Sequence, residues 1–185
     1  FLRFCLSSLK TQTHPFTSIL IIDNASTDGT LDFLGLEYPD IPVMRNTTNL
    51  GFAAAPNQGI AWHIAYSKWP IAKTYILVLN PDVILTPTYI EELVRLMEEH
   101  PNTAGITGQL LRYRLQNERV EYTTTIDSEG LEMLPPRHVR ERHAGAPNSL
   151  PTGDVPKGQK FEPQEVWGIS GACALYRLRA LEKVK

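Results

Sequence analysis

The sequence predicts an α/β fold, with an open, mostly parallel, doubly wound sheet flanked by helices. Two short runs, 18–22 and 75–79, are almost wholly apolar, which is typical of strands that are buried on both faces. Each run is followed by a polar segment and then by apolar residues at helical spacing. Strands that alternate with helices at this pitch indicate βαβ units, whose helices cover the faces of one sheet.

The first half of the chain alternates regularly between strand and helix patterns. In chain order, the predicted elements are a helix over 2–9, a strand over 18–22, a helix carrying Leu31 and Leu34, a strand over 41–44, a helix over 52–65, a strand over 75–79 and a helix from Ile90 to Met97. We expect Ser26 or Thr27 to cap the second helix, because short hydroxyl side chains favour that position. Pro87 suits the first turn of the fourth helix.

The second half is less regular. The expected elements are strands over 106–111, 120–126 and 167–175 and a final helix carrying Leu178, Leu181 and Val184. Between them, 134–163 holds many of the prolines and glycines and has no hydrophobic period. A loop of that length inside a compact domain is usually functional or mobile.

Length and composition are those of a globular domain with a core. The 185 residues are 42% hydrophobic and 21% charged, which excludes a disordered chain, and we expect one domain over 1–185 with parts 1–112 and 113–185. Because the chain opens at Phe1 and stops at Lys185 inside helical patterns, we expect a fragment truncated at both ends.

Charge and cysteine usage exclude further classes. The formal net charge is −2, which argues against a nucleic-acid binder with a broad basic face. No apolar run approaches the roughly 20 residues of a membrane span, so we expect none. Cys5 and Cys173 have neither a CxxC nor a zinc spacing, and we interpret them as small buried apolar groups.

Polar residues follow three of the predicted strands, at 23–26, 46–49 and 80–82. If these strands are parallel, all three segments face the crevice where open α/β sheets bind ligands. The alternative is that these residues only form turns and cap helices. Neither GxGxxG nor a P-loop is present, but Asp82 offers a carboxylate for a metal ion that bridges to a diphosphate. Asp23 offers acceptors to a base or a ribose.

Four segments, in order, carry a resemblance to the inverting family 2 glycosyltransferases. Residues 21–30 resemble that family's (V/I)DN.STDGT segment, and 49–54 with 57–59 resemble its NLGFAAxxNxG stretch. Residues 79–82 resemble its DxD element in the LNPD form of rhamnosyltransferase-like members, and 167–173 resemble its acceptor-side SGA strand. The resemblance covers nearly the whole chain and implies the GT-A fold.

The resemblance also implies site residues. A nucleoside-diphosphate sugar would be bound by the strand-end and loop residues Asp23, Asn24, Ser26, Asn49, Gly51, Asn57, Asn80 and Asp82. Asp82 would hold Mg²⁺ or Mn²⁺ against the diphosphate, and the acceptor side would be formed by Trp167, Gly171 and Ala172. The part over 1–112 would then bind the nucleotide-sugar, and 113–185 would form the acceptor side.

Some of these residues have structural alternatives. A glycine at position 51 is also explained if the backbone there needs an unusual angle. Asn57 could be a helical residue whose amide is satisfied within the protein, and Trp167 could be a core residue.

The chain departs from the family in three ways. The family's first strand would precede Phe1, and its general base would lie in an acidic segment beyond Lys185. Pro56 stands where relatives often carry a polar residue. The nearby acids Glu165, Asp154 and Asp127 have no spacing that nominates one of them as the base.

The histidines have no metal-ligand spacing, and the basic residues at 137–143 are best interpreted as a solvated loop. Contact of that loop with a phosphorylated acceptor or a membrane is the alternative.

The expected function is metal-dependent transfer of rhamnose or another hexose, with inversion, in polysaccharide biosynthesis. The donor would be linked to UDP or dTDP and the acceptor would be a glycan or a lipid-linked glycan. We expect a cytoplasmic location, or the cytoplasmic face of a membrane, because nucleotide-sugars are made there. One alternative is a catalytically silent module that binds nucleotide without turnover. The other is a nucleotidylyltransferase, which would release pyrophosphate.

Overall fold

The computed structural model describes residues 1–15, 18–66, 70–148 and 163–184. Within these residues the helices are α1 (Leu2–Lys10), α2 (Thr30–Glu37), α3 (Ala54–Tyr66), α4 (Tyr89–Glu99) and α5 (Leu178–Leu181). The strands are β1 (Ile21–Asp23), β2 (Val43–Arg45), β3 (Tyr75–Leu79), β4 (Gly105–Ile106), β5 (Leu110–Gln116), β6 (Arg119–Ser128), β7 (Leu131–Leu134), β8 (His138–Glu141) and β9 (Cys173–Arg177). The predicted α/β class is confirmed. No helix among the described residues combines the length and apolarity needed to cross a membrane.

The chain forms two compact units, Phe16–Thr74 and the combination of Phe1–Pro15 with Tyr75–Lys185. In the smaller unit, β1 and β2 pair in parallel, with Asp23 opposite Arg45. Helix α3 packs on β1, and Gly59 of the helix lies beside the side chain of Ile22. The parallel pairing was predicted from the apolar run, although β1 begins three residues later than expected.

The larger unit is built on a sheet with the strand order β3-β9-β4. Both ladders of this sheet are antiparallel. Helix α4 covers it, and Leu93 and Met97 pack against Leu175 to form the core. Among the ladders of the described residues, parallel pairing occurs only between β1 and β2. The apolar pattern of a strand does not show whether its neighbour runs parallel or antiparallel to it. The antiparallel placement of β9 between β3 and β4 could therefore not be predicted from the sequence.

The remaining strands form two antiparallel pairs, β5-β6 and β7-β8. The predicted irregular loop over 134–163 is wrong in its first part, because β8 pairs with β7 there. This hairpin was missed because β8 is mostly exposed and charged, so it lacks an apolar alternation. The part of that loop at 149–162, including Asp154, lies outside the described residues.

The start of α2 differs from the prediction. The helix begins after Gly29, whose φ of 81° places it in the left-handed region that glycine tolerates. Neither Ser26 nor Thr27 caps it; the Asp28 carboxylate instead accepts hydrogen bonds from Thr30 Oγ1 at 2.6 Å and Thr30 N at 3.2 Å. These bonds lower the pKa of Asp28. The carboxylate of Asp28, two residues before the helix, therefore accepts the hydrogen bond from the first turn that was expected for the hydroxyl of Ser26 or Thr27.

Both cysteines are free and buried, as predicted. Burial is the main reason why the pKa of Cys173 rises to about 11. A thiol with such a pKa stays protonated near neutral pH and packs as a small apolar group.

A buried arginine closes the C-terminal end of α4. The Arg177 guanidinium is covered and donates to Thr103 O at 2.8 Å, to Tyr75 Oη at 2.9 Å, to His100 O at 3.3 Å and to Met97 O. It thereby satisfies carbonyls that a helix end leaves without partners. The sequence did not predict these contacts, because the partners of Arg177 come from distant parts of the chain.

We expect Arg177→Met to lower the free energy of unfolding by about 3 kcal/mol, because it leaves the buried carbonyl of Met97 and the part-buried carbonyls of Thr103 and His100 without their donor. Denaturant unfolding measures this effect. Arg114→Met, at an exposed position on β5, is the matched control and should cost less than about 0.5 kcal/mol. Equal losses in the two variants would show that the contacts of Arg177 do not stabilise the fold.

Candidate functional site

Asp23 ends β1 in the smaller unit, and its side chain is only 1% exposed. One carboxylate oxygen, Oδ1, accepts a hydrogen bond from Ser26 N at 3.2 Å. The other, Oδ2, is buried without a hydrogen-bond partner among the described residues, and Arg45 Nε lies 3.6 Å from it. That separation allows an ion pair but exceeds a hydrogen bond. Because a buried acceptor without a donor costs free energy, Oδ2 is suited to accept a hydrogen bond from a ligand.

The loop after β2 lies beside Asp23 within the same unit. Asn24 donates a hydrogen bond to Asn49 Oδ1 at 2.8 Å and accepts one from Leu50 N at 3.0 Å. Gly51 has a φ of 85°, so the predicted need for an unusual backbone angle is confirmed. The structure therefore brings Asp23, Asn24, Asn49 and Gly51 together, although they come from two segments of the chain.

Two amides of this region were missed as site residues. Asn46 and Gln58 exchange side-chain hydrogen bonds at 2.8 and 2.9 Å. The position of Asn46 at a strand end was a visible signal, whereas nothing in the sequence pairs it with a glutamine of α3. Asn57 lies on the exposed surface of α3, next to Gln58.

In the larger unit, the end of β3 meets the turn before β9. Leu79 is opposite Cys173 in the ladder, and Asn80 N donates a hydrogen bond to Ala172 O at 2.8 Å. Residues 80–82 and the turn at Gly171 and Ala172 are therefore neighbours, although about ninety positions separate them in the sequence. The turn itself is formed by the small residues Gly171 and Ala172.

The Asp82 side chain is exposed in the turn after β3. Tyr113 Oη donates to the main-chain carbonyl of Asp82 at 2.7 Å, which fixes the turn. Burial, followed by the charge of Asp82, raises the pKa of Tyr113. Burial also raises the pKa of Cys5 to about 12, with smaller contributions from Cys173 and Asp82. Among the described residues, no cation pairs with the Asp82 carboxylate, so it is available to a ligand.

The donor set at Asp82 suits a hard divalent ion. The described residues contain no group of three or more His, Cys, Asp or Glu side chains that would hold a metal alone. Mg²⁺ is commonly held by one or two carboxylates together with substrate phosphates and water. A single exposed carboxylate fits that pattern, provided that a diphosphate supplies the other oxygens.

Trp167 is 58% exposed, so the alternative that places it in the core is wrong. It lines an open depression of about 290 Å³, together with Glu132, Arg142 and Gln164. Its main-chain N–H donates to Leu131 O at 3.1 Å, which holds this segment along β7.

The positions of Asp127 and Glu165 in the larger unit do not identify either residue as the general base. Asp127 is exposed and pairs with Arg112 at 3.0 Å, and Glu165 is exposed at the edge of the depression. The basic residues of β8 and the segment after it are partly neutralised, since Arg140 pairs with Glu132 and His143 with Glu129.

Comparison with known proteins gives two further findings. Residues 1–185 match the family model described as Glycosyl transferase family 2. Two curated relatives from Mycobacterium tuberculosis, strains CDC 1551 / Oshkosh and ATCC 25618 / H37Rv, are each named N-acetylglucosaminyl-diphospho-decaprenol L-rhamnosyltransferase. Each is 28% identical to this chain over 192 residues, and the match covers 97% of the chain and 58% of the relative. The chain thus spans less than two thirds of the length of these relatives.

Proposed function

The chain belongs to glycosyl transferase family 2, and from this premise we propose that it transfers a sugar from a nucleoside-diphosphate sugar to an acceptor hydroxyl. The observation that carries the proposal is the exposed Asp82 carboxylate just after the half-buried strand β3. Two residues before it, Asn80 bonds to Ala172 in the turn before β9, whose residues Gly171 and Ala172 are small.

The nucleoside would bind in the smaller unit. Asp23 Oδ2 would accept a hydrogen bond from the base or the ribose, since it is the buried oxygen without a partner. The surrounding pocket would be formed by the strand-end and loop residues Asn24, Ser26, Asn49, Gly51 and Asn57.

The diphosphate would bind at Asp82. Members of this family generally use a divalent metal ion. Mg²⁺ or Mn²⁺ held by Asp82 would stabilise the negative charge that develops on the leaving phosphate oxygens. Asn80 would lie near the ribose, and its main-chain bond to Ala172 keeps the strand end beside the turn.

The acceptor would approach from the side of Trp167, Gly171 and Ala172. Its hydroxyl oxygen would bond to the anomeric carbon while the bond from that carbon to the diphosphate breaks, so the anomeric centre inverts. The hydroxyl proton would pass to a carboxylate that acts as general base. That this base lies beyond Lys185 stays a prediction. The exposed ring of Trp167 would stack on a sugar of the acceptor.

The relatives' names guide the choice of substrates. Those proteins are named as rhamnosyltransferases that act on a diphospho-decaprenol carrier. We propose rhamnose or another hexose as the transferred sugar, a UDP- or dTDP-linked donor and a glycan or lipid-linked acceptor. The transfer reaction would take place in the cytoplasm or at the cytoplasmic face of a membrane. The division into parts at 1–112 and 113–185 stays a prediction.

Calorimetric titration with UDP and dTDP, each with and without Mn²⁺, tests the proposal. We expect one nucleotide to bind, and only with the metal ion. The complete protein should then release nucleoside diphosphate from the matching nucleotide-sugar when an acceptor is present. Binding without turnover would favour the silent module, and formation of pyrophosphate from a nucleoside triphosphate would favour a nucleotidylyltransferase. Failure of the complete protein to bind either nucleotide would overturn the proposal.

A further inference from the structure

We propose that Asn24 is a positioning residue that does not itself bind the nucleotide, and that Asn46 and Gln58 hold it in place. These three amides and Asn49 form the amide network, which fixes the loop after β2 beside Asp23. The inference rests on the proposed function, because it assigns roles within the same nucleoside pocket.

The amide network begins with a reciprocal pair. Asn46 Nδ2 donates to Gln58 Oε1 at 2.8 Å, and Gln58 Nε2 donates back to Asn46 Oδ1 at 2.9 Å. Asn46 is 9% exposed, and its main-chain N–H donates to Asp23 O at 2.8 Å. The pair therefore connects α3 to the ends of both parallel strands of the smaller unit.

Every hydrogen-bonding position of the Asn24 side chain is occupied inside the protein. Its Oδ1 accepts from Asn46 Nδ2 at 3.1 Å and from Leu50 N at 3.0 Å. Its Nδ2 donates to Asn49 Oδ1 at 2.8 Å and to Gly51 O at 3.3 Å. An asparagine amide has two acceptor positions and two donor hydrogens, so none is left for a nucleotide.

The bonds of Asn24 converge on the loop Asn49–Gly51. Gly51 N also donates to Asn49 Oδ1 at 2.9 Å, which holds Gly51 in its left-handed conformation. A network of this kind is stable only when every member is satisfied, so loss of one amide loosens the loop. Asp23 Oδ2, by contrast, is buried and accepts no hydrogen bond from the described residues, with Arg45 Nε at 3.6 Å. Direct contact with the nucleoside therefore belongs to Asp23, and Asn24 acts through the loop.

Substitutions that leave Asn24 in place distinguish direct contact of Asn24 with the nucleotide from positioning of the loop. Asn46→Ala and Gln58→Ala should each weaken binding of the preferred nucleotide, UDP or dTDP with Mn²⁺, by about tenfold. The double variant should bind no more weakly than either single variant, because the two amides act as a unit. Gln58→Glu keeps the acceptor for Asn46 Nδ2 but places a second carboxylate oxygen against Asn46 Oδ1, so it should weaken binding at least as much as Gln58→Ala. If both alanine variants bind like the unchanged chain while Asn24→Ala does not, Asn24 contacts the nucleotide directly and the inference is overturned.

Gln12→Ala is the matched control. The Gln12 amide is also well bonded, with donor contacts to Thr86 O at 2.8 Å and Ser8 O at 3.1 Å, but it belongs to the larger unit. Its loss should lower stability comparably and leave nucleotide binding unchanged. An equal loss of binding in Gln12→Ala would attribute the effect to general destabilisation and overturn the inference.

A second measurement needs no nucleotide. The main-chain amides of Leu50 and Gly51 bond to Asn24 and Asn49, so their hydrogen exchange, followed by NMR, should be faster in Gln58→Ala. If the complete protein binds neither nucleotide, the proposed function fails, while this exchange still reports on the amide network. Unchanged exchange at both amides would overturn the positioning role.

Discussion

Replacing Asp82 with alanine is expected to weaken metal-dependent nucleotide binding on the order of 100-fold or more. The substitution removes the exposed carboxylate that is proposed to hold a hard divalent ion against a diphosphate. Stability should change little, because the side chain is exposed and its main-chain carbonyl still accepts from Tyr113. Titration with UDP or dTDP at several Mn²⁺ concentrations measures the effect.

Asp127→Ala is the control for Asp82→Ala. Asp127 is another exposed carboxylate of the larger unit, with 55% of its side chain accessible, and its only role is an ion pair with Arg112 among the described residues. Its loss should leave the dependence on Mn²⁺ unchanged. If Asp82→Ala also binds nucleotide with an unchanged metal dependence, the proposed metal ligand is misplaced.

Asp23→Asn is expected to have effects of opposite sign on binding and on stability. Binding of the nucleotide should weaken by about 100-fold, because an amide nitrogen in place of Oδ2 cannot accept a hydrogen bond. The free energy of unfolding should rise by about 1 kcal/mol, since a buried neutral amide costs less than a buried carboxylate whose Oδ2 has no hydrogen bond, and the ion pair that is lost involves a largely exposed Arg45 at 3.6 Å. The amide oxygen can still accept the bond from Ser26 N.

Calorimetry and denaturant unfolding of the same Asp23→Asn preparation test both effects. Asp40→Asn, an exposed acid of the smaller unit, should alter neither quantity by a measurable amount. A less stable Asp23→Asn protein with unchanged binding would identify Asp23 as a structural carboxylate.

Elements with a strong local period were predictable from the sequence. The apolar run at 75–79 became β3 with the expected bounds, and the pattern from Ile90 to Met97 became α4. The burial of Cys5 and Cys173 was also predictable, because a lone small thiol usually packs as an apolar group. The polar strand ends that include Asp23 and Asp82 could be nominated because ligands gather at such ends.

The contacts that define each part of the site depended on the tertiary structure. Asn80 meets Ala172, and Asn46 meets Gln58, through pairing and packing that join separate segments. The antiparallel insertion of β9 was decided in the same way.

Local periodicity reflects which face of one element is buried, so the sequence by itself determined the elements, their class and the polar residues at their ends. Which partner an element meets, and in which direction, depends on how all apolar faces are covered together. The tertiary structure made Asn24 a fully bonded amide and left Asp23 Oδ2 buried without a hydrogen bond from the described residues.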